Sequence, residues 1–165
     1  MIVKENNKRQ FIHYGAISFN TEKFQPIKNR TYMAKPEGGL WACSADTTFG
    51  WKEYCLSEGL HPSSSDRLTK FFWFTFKEDT KVLHLETPED FDFLPIKWSA
   101  FHAEKKENPY VREDIDKFCY TDWEALASIG IDAVEYVRTP YGHDVFYSWD
   151  FDSVVVLNPD CIQEY

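Results

Sequence analysis

The stretch Lys35-Pro-Glu-Gly-Gly-Leu-Trp-Ala-Cys-Ser44, followed by Phe49-Gly-Trp-Lys-Glu-Tyr-Cys55, decides how the rest of the chain is read. Pro36 and the pair Gly38-Gly39 punctuate the backbone, and residues 40–43 then read as a short strand. Asp46 or Thr47 is placed to cap a helix that runs to about Ser57. A strand entered through glycines and left into a helix is a common way to build the floor and wall of a small-molecule cleft. The glycines would let a ligand approach the backbone, and Trp41, Trp51 and Tyr54 would offer flat faces for stacking. The competing reading makes those three aromatics part of the core.

Outward from this stretch, residues 10–15 read as a strand with Phe11, His13 and Gly15 on one face and Ile12 and Tyr14 on the other. Residues 19–29 are polar with spaced apolar residues, and Pro26 demotes them to a loop or an edge strand. Residues 61–65 (His-Pro-Ser-Ser-Ser) are a loop by composition. The apolar run Phe71-Phe-Trp-Phe-Thr-Phe76 predicts a strand at or near the sheet centre, with residues 82–86 as its hairpin partner. Pro88 opens a short helix, and the charged residues 99–118 read as a solvated connection. Thr121-Asp-Trp-Glu124 has the form of a capping box for a helix that Gly130 closes. Residues 131–137 predict a strand, 140–142 a turn, and 153–157 a last buried strand stopped by Asn158-Pro159. With no internal repeat or linker, residues 1–165 form one α+β domain.

An aromatic content of 18% favours strands and a pocketed interior over a helical bundle. The net charge of −9 is unevenly spread: residues 1–37 balance at +4, which leaves −13 on the remainder. Such an acidic body repels a nucleic-acid backbone and makes a nucleic-acid partner unlikely on charge grounds, while the basic N-terminal region suits a small anionic ligand. Cys43, Cys55, Cys119 and Cys161 form no CxxC pair, so neither zinc-ligand spacing nor a disulfide framework is present. Free thiols, a start without an apolar signal core and no run of 18 apolar residues predict a cytoplasmic protein with no membrane partner.

Familiar catalytic motifs are absent: there is no GxGxxG opening a βαβ unit, no phosphate loop, no GxSxG elbow and no HExxH. No two histidines have the i, i+4 spacing of a helix-borne metal site, so no metal is expected. Three separated pieces remain. His13-Tyr14-Gly15 ends the first strand, Gly39-Leu-Trp-Ala-Cys43 opens the next, and Asp152-Ser-Val-Val-Val-Leu-Asn-Pro159 closes the set. In that order the chain resembles the ADP-ribosyltransferase superfamily, in the branch that includes diphtheria toxin and the poly(ADP-ribose) polymerases. Members begin with a strand ending His-Gly, continue with Gly-Ile/Leu-Tyr-Phe-Ala and a helix-borne second aromatic, and finish with an acid on or before a strand ending Asn-Pro. Here Tyr14 is inserted, tryptophan stands for tyrosine and aspartate for glutamate. Counted from Asn158-Pro159, the acid falls one place early and leaves Ser153 at the expected position.

The resemblance implies two small packed β-sheets forming a cleft flanked by short helices. It implies NAD⁺ as co-substrate and transfer of ADP-ribose to an acceptor, with a protein the first expectation. His13, Trp41 and Asp152 would be the catalytic set, with Asp150 in reserve. His13, Tyr14, Gly15, Gly39, Leu40, Trp41, Ser44, Trp51 and Tyr54 would contact the dinucleotide, the Gly15 backbone pairing with the nicotinamide amide. Breaking the nicotinamide bond builds positive charge on the ribose, which a carboxylate beneath the ring stabilises. The displaced acid implies either a bulge in the last strand or a relative that binds NAD⁺ without turning it over.

Overall fold

The computed structural model describes residues 3–4, 9–31, 33–59, 66–138, 146 and 148–165, with Val3, Lys4 and Asp66 described by backbone alone. The expected loop at 61–65, the turn at 140–142 and most of 145–147 lie outside these residues. Strands β1 (Val3–Lys4), β2 (Gln10–Tyr14) and β3 (Leu40–Ser44) precede helices α1 (Trp51–Ser57) and α2 (Asp66–Thr69). Strands β4 (Phe71–Phe76) and β5 (Val82–Leu85) lead into α3 (Pro88–Phe91), α4 (Trp98–Glu107), α5 (Glu113–Asp116) and α6 (Trp123–Ser128). Strands β6 (Ala133–Tyr136), β7 (Ser153–Val156) and β8 (Ile162–Glu164) complete a mixed fold. Among the described residues no helix is long and apolar enough to cross a membrane.

The strands form one eight-stranded sheet in the order β1-β5-β6-β7-β3-β2-β4-β8, not the two packed sheets that the resemblance implies. The reason is β3, which pairs on both sides: Phe11↔Ser44 and Ile12↔Cys43 join it to β2, and Leu40↔Val156, Trp41↔Val155 and Ala42↔Val154 join it to β7. The expected hairpin of β4 with β5 is absent. β4 is held between β2 and β8, whereas β5 pairs with β1 and runs parallel to β6.

Strand alternation divides the core. Val155, Val134, Tyr136, Leu83 and Leu85 face the helical side, where Phe91, Phe118, Trp123 and Leu126 cover them. Val154, Val156, Ala133, Phe11, Phe72, Phe74 and Phe76 form the cluster on the other side. Residues 98–120 are not a solvated connection: they hold α4, α5 and a 3-10 turn (Lys117–Tyr120), anchored by the buried rings of Phe101, Phe118 and Tyr120. The high charge of α4 hid Phe101 because one ring suffices to dock a ten-residue helix. Helix α6 is capped by Asp122, which accepts from the Ala125 N–H at 3.1 Å, while Thr121 donates to the Phe118 carbonyl instead of capping. Likewise α1 begins at Trp51, later than Asp46 or Thr47 predicts, and Glu53 accepts from the Gly50 N–H at 3.0 Å. The strand at 153–156 is not the last one, since β8 follows and shields the edge of β4.

Candidate functional site

Two ladder pairs are all that β2 and β3 share, whereas β2 and β4 pair along five residues. Beyond Ile12 the seam between β2 and β3 opens. His13 closes it with a side chain: Nδ1 lies 2.6 Å from the Trp41 carbonyl oxygen. A carbonyl can only accept, so Nδ1 carries the proton and Nε2 is left as an acceptor. Burial lowers the His13 pKa, and the bond to Trp41 partly offsets that shift. The imidazole is thus held in its neutral form near neutral pH.

At this seam lies a cavity of about 210 Å³ lined by His13, Tyr14, Lys35, Trp41, Cys43, Trp51, Arg67, Phe151 and Ser153, together with Ile12 and Ala42. Its walls are aromatic. Trp51 packs against Phe151 at 5.5 Å between ring centroids, and Trp41 meets Trp149 edge-on at 4.8 Å. The Lys35 ammonium sits 4.3 Å from the Trp41 ring centroid, a cation–π contact. Burial lowers the Lys35 pKa, with Asp150 acting to raise it and Arg30 to lower it further. The Cys43 thiol accepts from the Trp51 N–H at 3.1 Å, and burial pushes its pKa up to about 11, so it is a packed thiol and not a nucleophile.

A second cavity of about 480 Å³ adjoins the first, and His13, Lys35 and Trp41 line both. Its character differs. Lys23, Arg30 and Lys35 face it against the single acid Glu37, beside Phe19, Phe24 and the Gly38-Gly39 turn. The glycine pair serves the chain's own packing. With φ of +78° and +68°, a Cβ at Gly38 would stand 2.3 Å from the Pro26 carbonyl oxygen, and one at Gly39 2.8 Å from Val155 Cγ2.

The expected site residues divide between these places. His13, Tyr14, Trp41 and Trp51 share the first cavity, and Gly39 and Leu40 line the second. Tyr54 stands behind Phe151, with ring centroids 5.2 Å apart. Gly15 holds φ +110° and donates its N–H to the Lys70 carbonyl at 2.7 Å, so that N–H is already committed. Ser44 points to the opposite sheet face from Cys43, where Arg9 donates to its hydroxyl at 2.9 Å.

Asp152 does not reach the aromatic cavity. Its carboxylate accepts from Thr47 Oγ1 at 2.7 Å and from the Arg138 N–H at 2.6 Å, bracing the start of β7 against two loops. It lines a separate polar cavity with Arg9, Ser44, Asp46 and Glu135, and the next residue, Ser153, lines both that cavity and the aromatic one. From Ser153 to Val156 the strand carries no bulge, since its register against β6 is unbroken. Several carboxylates act on the groups of this cavity: Asp150 opposes the burial that lowers the Lys35 pKa, Glu53 adds to the burial that raises the Tyr14 pKa, and Glu53 and Asp152 both add to the burial that raises that of Cys43. In the polar cavity the buried Glu135 receives both guanidinium nitrogens of Arg9 at 2.9 Å and His84 Nδ1 at 2.7 Å. Burial opposes its ionisation, yet His84 and Arg9 outweigh that and its pKa is lowered.

Sequence reasoning missed Lys35, Arg67 and Phe151. Lys35 belongs to the quoted stretch, and its place one residue before a proline that fixes the turn was the available signal; Arg67 and Phe151 carry none. Among the described residues no group of three or more His, Cys, Asp or Glu could hold a metal ion. No family model, curated protein or solved structure matches the chain.

Proposed function

We propose that this chain binds NAD⁺ and transfers its ADP-ribose to a protein acceptor, releasing nicotinamide. The observation that carries the reading is the pair of adjoining cavities that meet at His13, Lys35 and Trp41, one aromatic and one cationic. NAD⁺ has the same two halves. Its planar cationic ring suits an indole wall, where a cation over the ring face is worth about 0.5–2 kcal/mol. Its diphosphate suits Lys23, Arg30 and Lys35. His13 Nε2 accepts from a ribose hydroxyl, and the Asp150 carboxylate offsets the charge that builds on the ribose as the nicotinamide bond breaks.

A second reading, NAD⁺ binding without turnover, is favoured by one observation: Asp152 is committed to Thr47 and Arg138, and Ser153 faces the cavity instead. Titration calorimetry with NAD⁺, combined with chromatographic measurement of nicotinamide, separates the two. Binding with nicotinamide release that Trp41→Ala weakens and Asp150→Asn slows supports transfer. Binding without release supports the second reading, and no binding heat at all sinks both.

A further inference from the structure

We propose that Lys35 Nζ is itself an ADP-ribose acceptor, so that the chain modifies its own cavity wall. The inference rests on the NAD⁺ reading and names an acceptor for it. Its basis is position. Lys35 lines both cavities, and its ammonium rests on the Trp41 face at 4.3 Å. A dinucleotide with its ring in the aromatic cavity and its diphosphate in the cationic one places the ribose carbon C1′ between them, at the Lys35 side chain. The incoming ring displaces the ammonium from the indole, and the flexible four-carbon stem keeps the amine at that junction.

The amine must be neutral to attack, and several groups act on it. Burial lowers its pKa, Asp150 and the Cys43 thiol work to raise it, and Arg30 lowers it. His13, neutral near pH 7, shares its cavity. The net lowering brings the reactive form into reach at milder alkalinity than an ordinary lysine needs. In the step, the nitrogen lone pair forms a bond to C1′ and the C1′–N1 bond to nicotinamide breaks with its electron pair passing to the ring nitrogen. The new secondary ammonium loses its extra proton to solvent. The products are neutral nicotinamide and an N-linked ADP-ribosyl lysine, with no redox change.

The test incubates the purified chain with NAD⁺ from pH 7 to 9, measures nicotinamide and maps adducts by peptide mass spectrometry. A parallel arm uses free ADP-ribose, which reacts with lysines by simple glycation. The expected result is one dominant adduct at Lys35, forming at least tenfold faster from NAD⁺ than from ADP-ribose and accelerating with pH, and absent from Lys35→Arg. Nicotinamide release with Lys35 unmodified overturns this inference and leaves transfer to other acceptors standing. Equal modification from ADP-ribose overturns it as glycation. No nicotinamide release removes the transfer reading and the inference together.

Discussion

Replacing Asp152 tests whether this carboxylate is a structural brace or a chemical group. It accepts two hydrogen bonds, from Thr47 Oγ1 at 2.7 Å and the Arg138 N–H at 2.6 Å, and its own N–H donates to the Phe49 carbonyl at 3.1 Å. Hydrogen bonds to a charged acceptor contribute about 1.5–3 kcal/mol each, and the half-exposed position puts these at the low end. Asp152→Ala then costs about 3 kcal/mol. In a domain of this size that lowers Tm by about 6–12 °C. Asp152→Asn keeps one oxygen for the Arg138 N–H and turns its amide toward the Thr47 hydroxyl oxygen, which can accept. Its cost is about 1 kcal/mol, or about 2–4 °C. Thermal melts followed by circular dichroism, paired with nicotinamide release below the transition, read both quantities. The brace predicts that Asp152→Asn melts slightly early and turns over as wild type does. A variant with wild-type Tm and no turnover would instead place Asp152 at the reacting ribose and refute the reasoning.

Gly39→Ala puts a Cβ 2.8 Å from Val155 Cγ2 and from the Val156 carbonyl oxygen at φ +68°, so it should lose about 2–4 kcal/mol; an unchanged urea midpoint would show that the 38–39 turn yields freely. Glu135 has a lowered pKa, so its contribution is present above the unfolded carboxyl value of about 4.3 and is lost as pH falls through the folded one. Glu135→Gln should therefore cost about 3 kcal/mol at pH 7 and progressively less once pH falls through the folded carboxyl value, and a gap that stays constant down to acid unfolding counts against the ion-pair account. His13 also has a lowered pKa, so the folded state prefers the neutral ring; stability is full above the unfolded value of about 6.5 and declines as pH falls toward the folded value. Tm measured from pH 8 to 5 should fall less for His13→Gln than for wild type, and parallel curves would remove His13 from the titration.

The sequence was most legible where periodicity and burial agree. Val154 to Val156 alternates between two hydrophobic clusters, and Phe72, Phe74 and Phe76 all enter one of them from a single strand face. Strand partners were not legible, since pairing is a long-range choice: β4 follows the rule for a hairpin locally, yet β2 and β8 satisfy its edges better than β5 does. α4 escaped notice because a single buried ring, Phe101, outweighs nine other residues of low mean hydropathy. His13, Trp41 and Trp51 were found from their place beside turn residues, and they do share a cavity. Asp152, which the resemblance implies, does not join them, because it precedes β7 and its carboxylate is taken up by Thr47 Oγ1 and the Arg138 N–H.

A cleft at this seam does not require two separate sheets. β3 exchanges partners within five residues, leaving β2 after Ser44 and Cys43 and joining β7 through Ala42, Trp41 and Leu40. A strand that pairs with β2 at one end and β7 at the other must part from β2 where the sheet twists away, and the gap opens at His13 and Trp41. The Gly38-Gly39 turn fixes the outer end of β3, where the Gly39 N–H donates to the Gln25 carbonyl at 2.8 Å, so the gap cannot close by sliding. Topology thus makes the cavity, while its chemistry comes from the few side chains set along its edge. Among these the Lys35 ammonium on the Trp41 face is the most specific feature, because it already fills the indole surface with a cation and so models, within the chain itself, the kind of ligand that surface accepts.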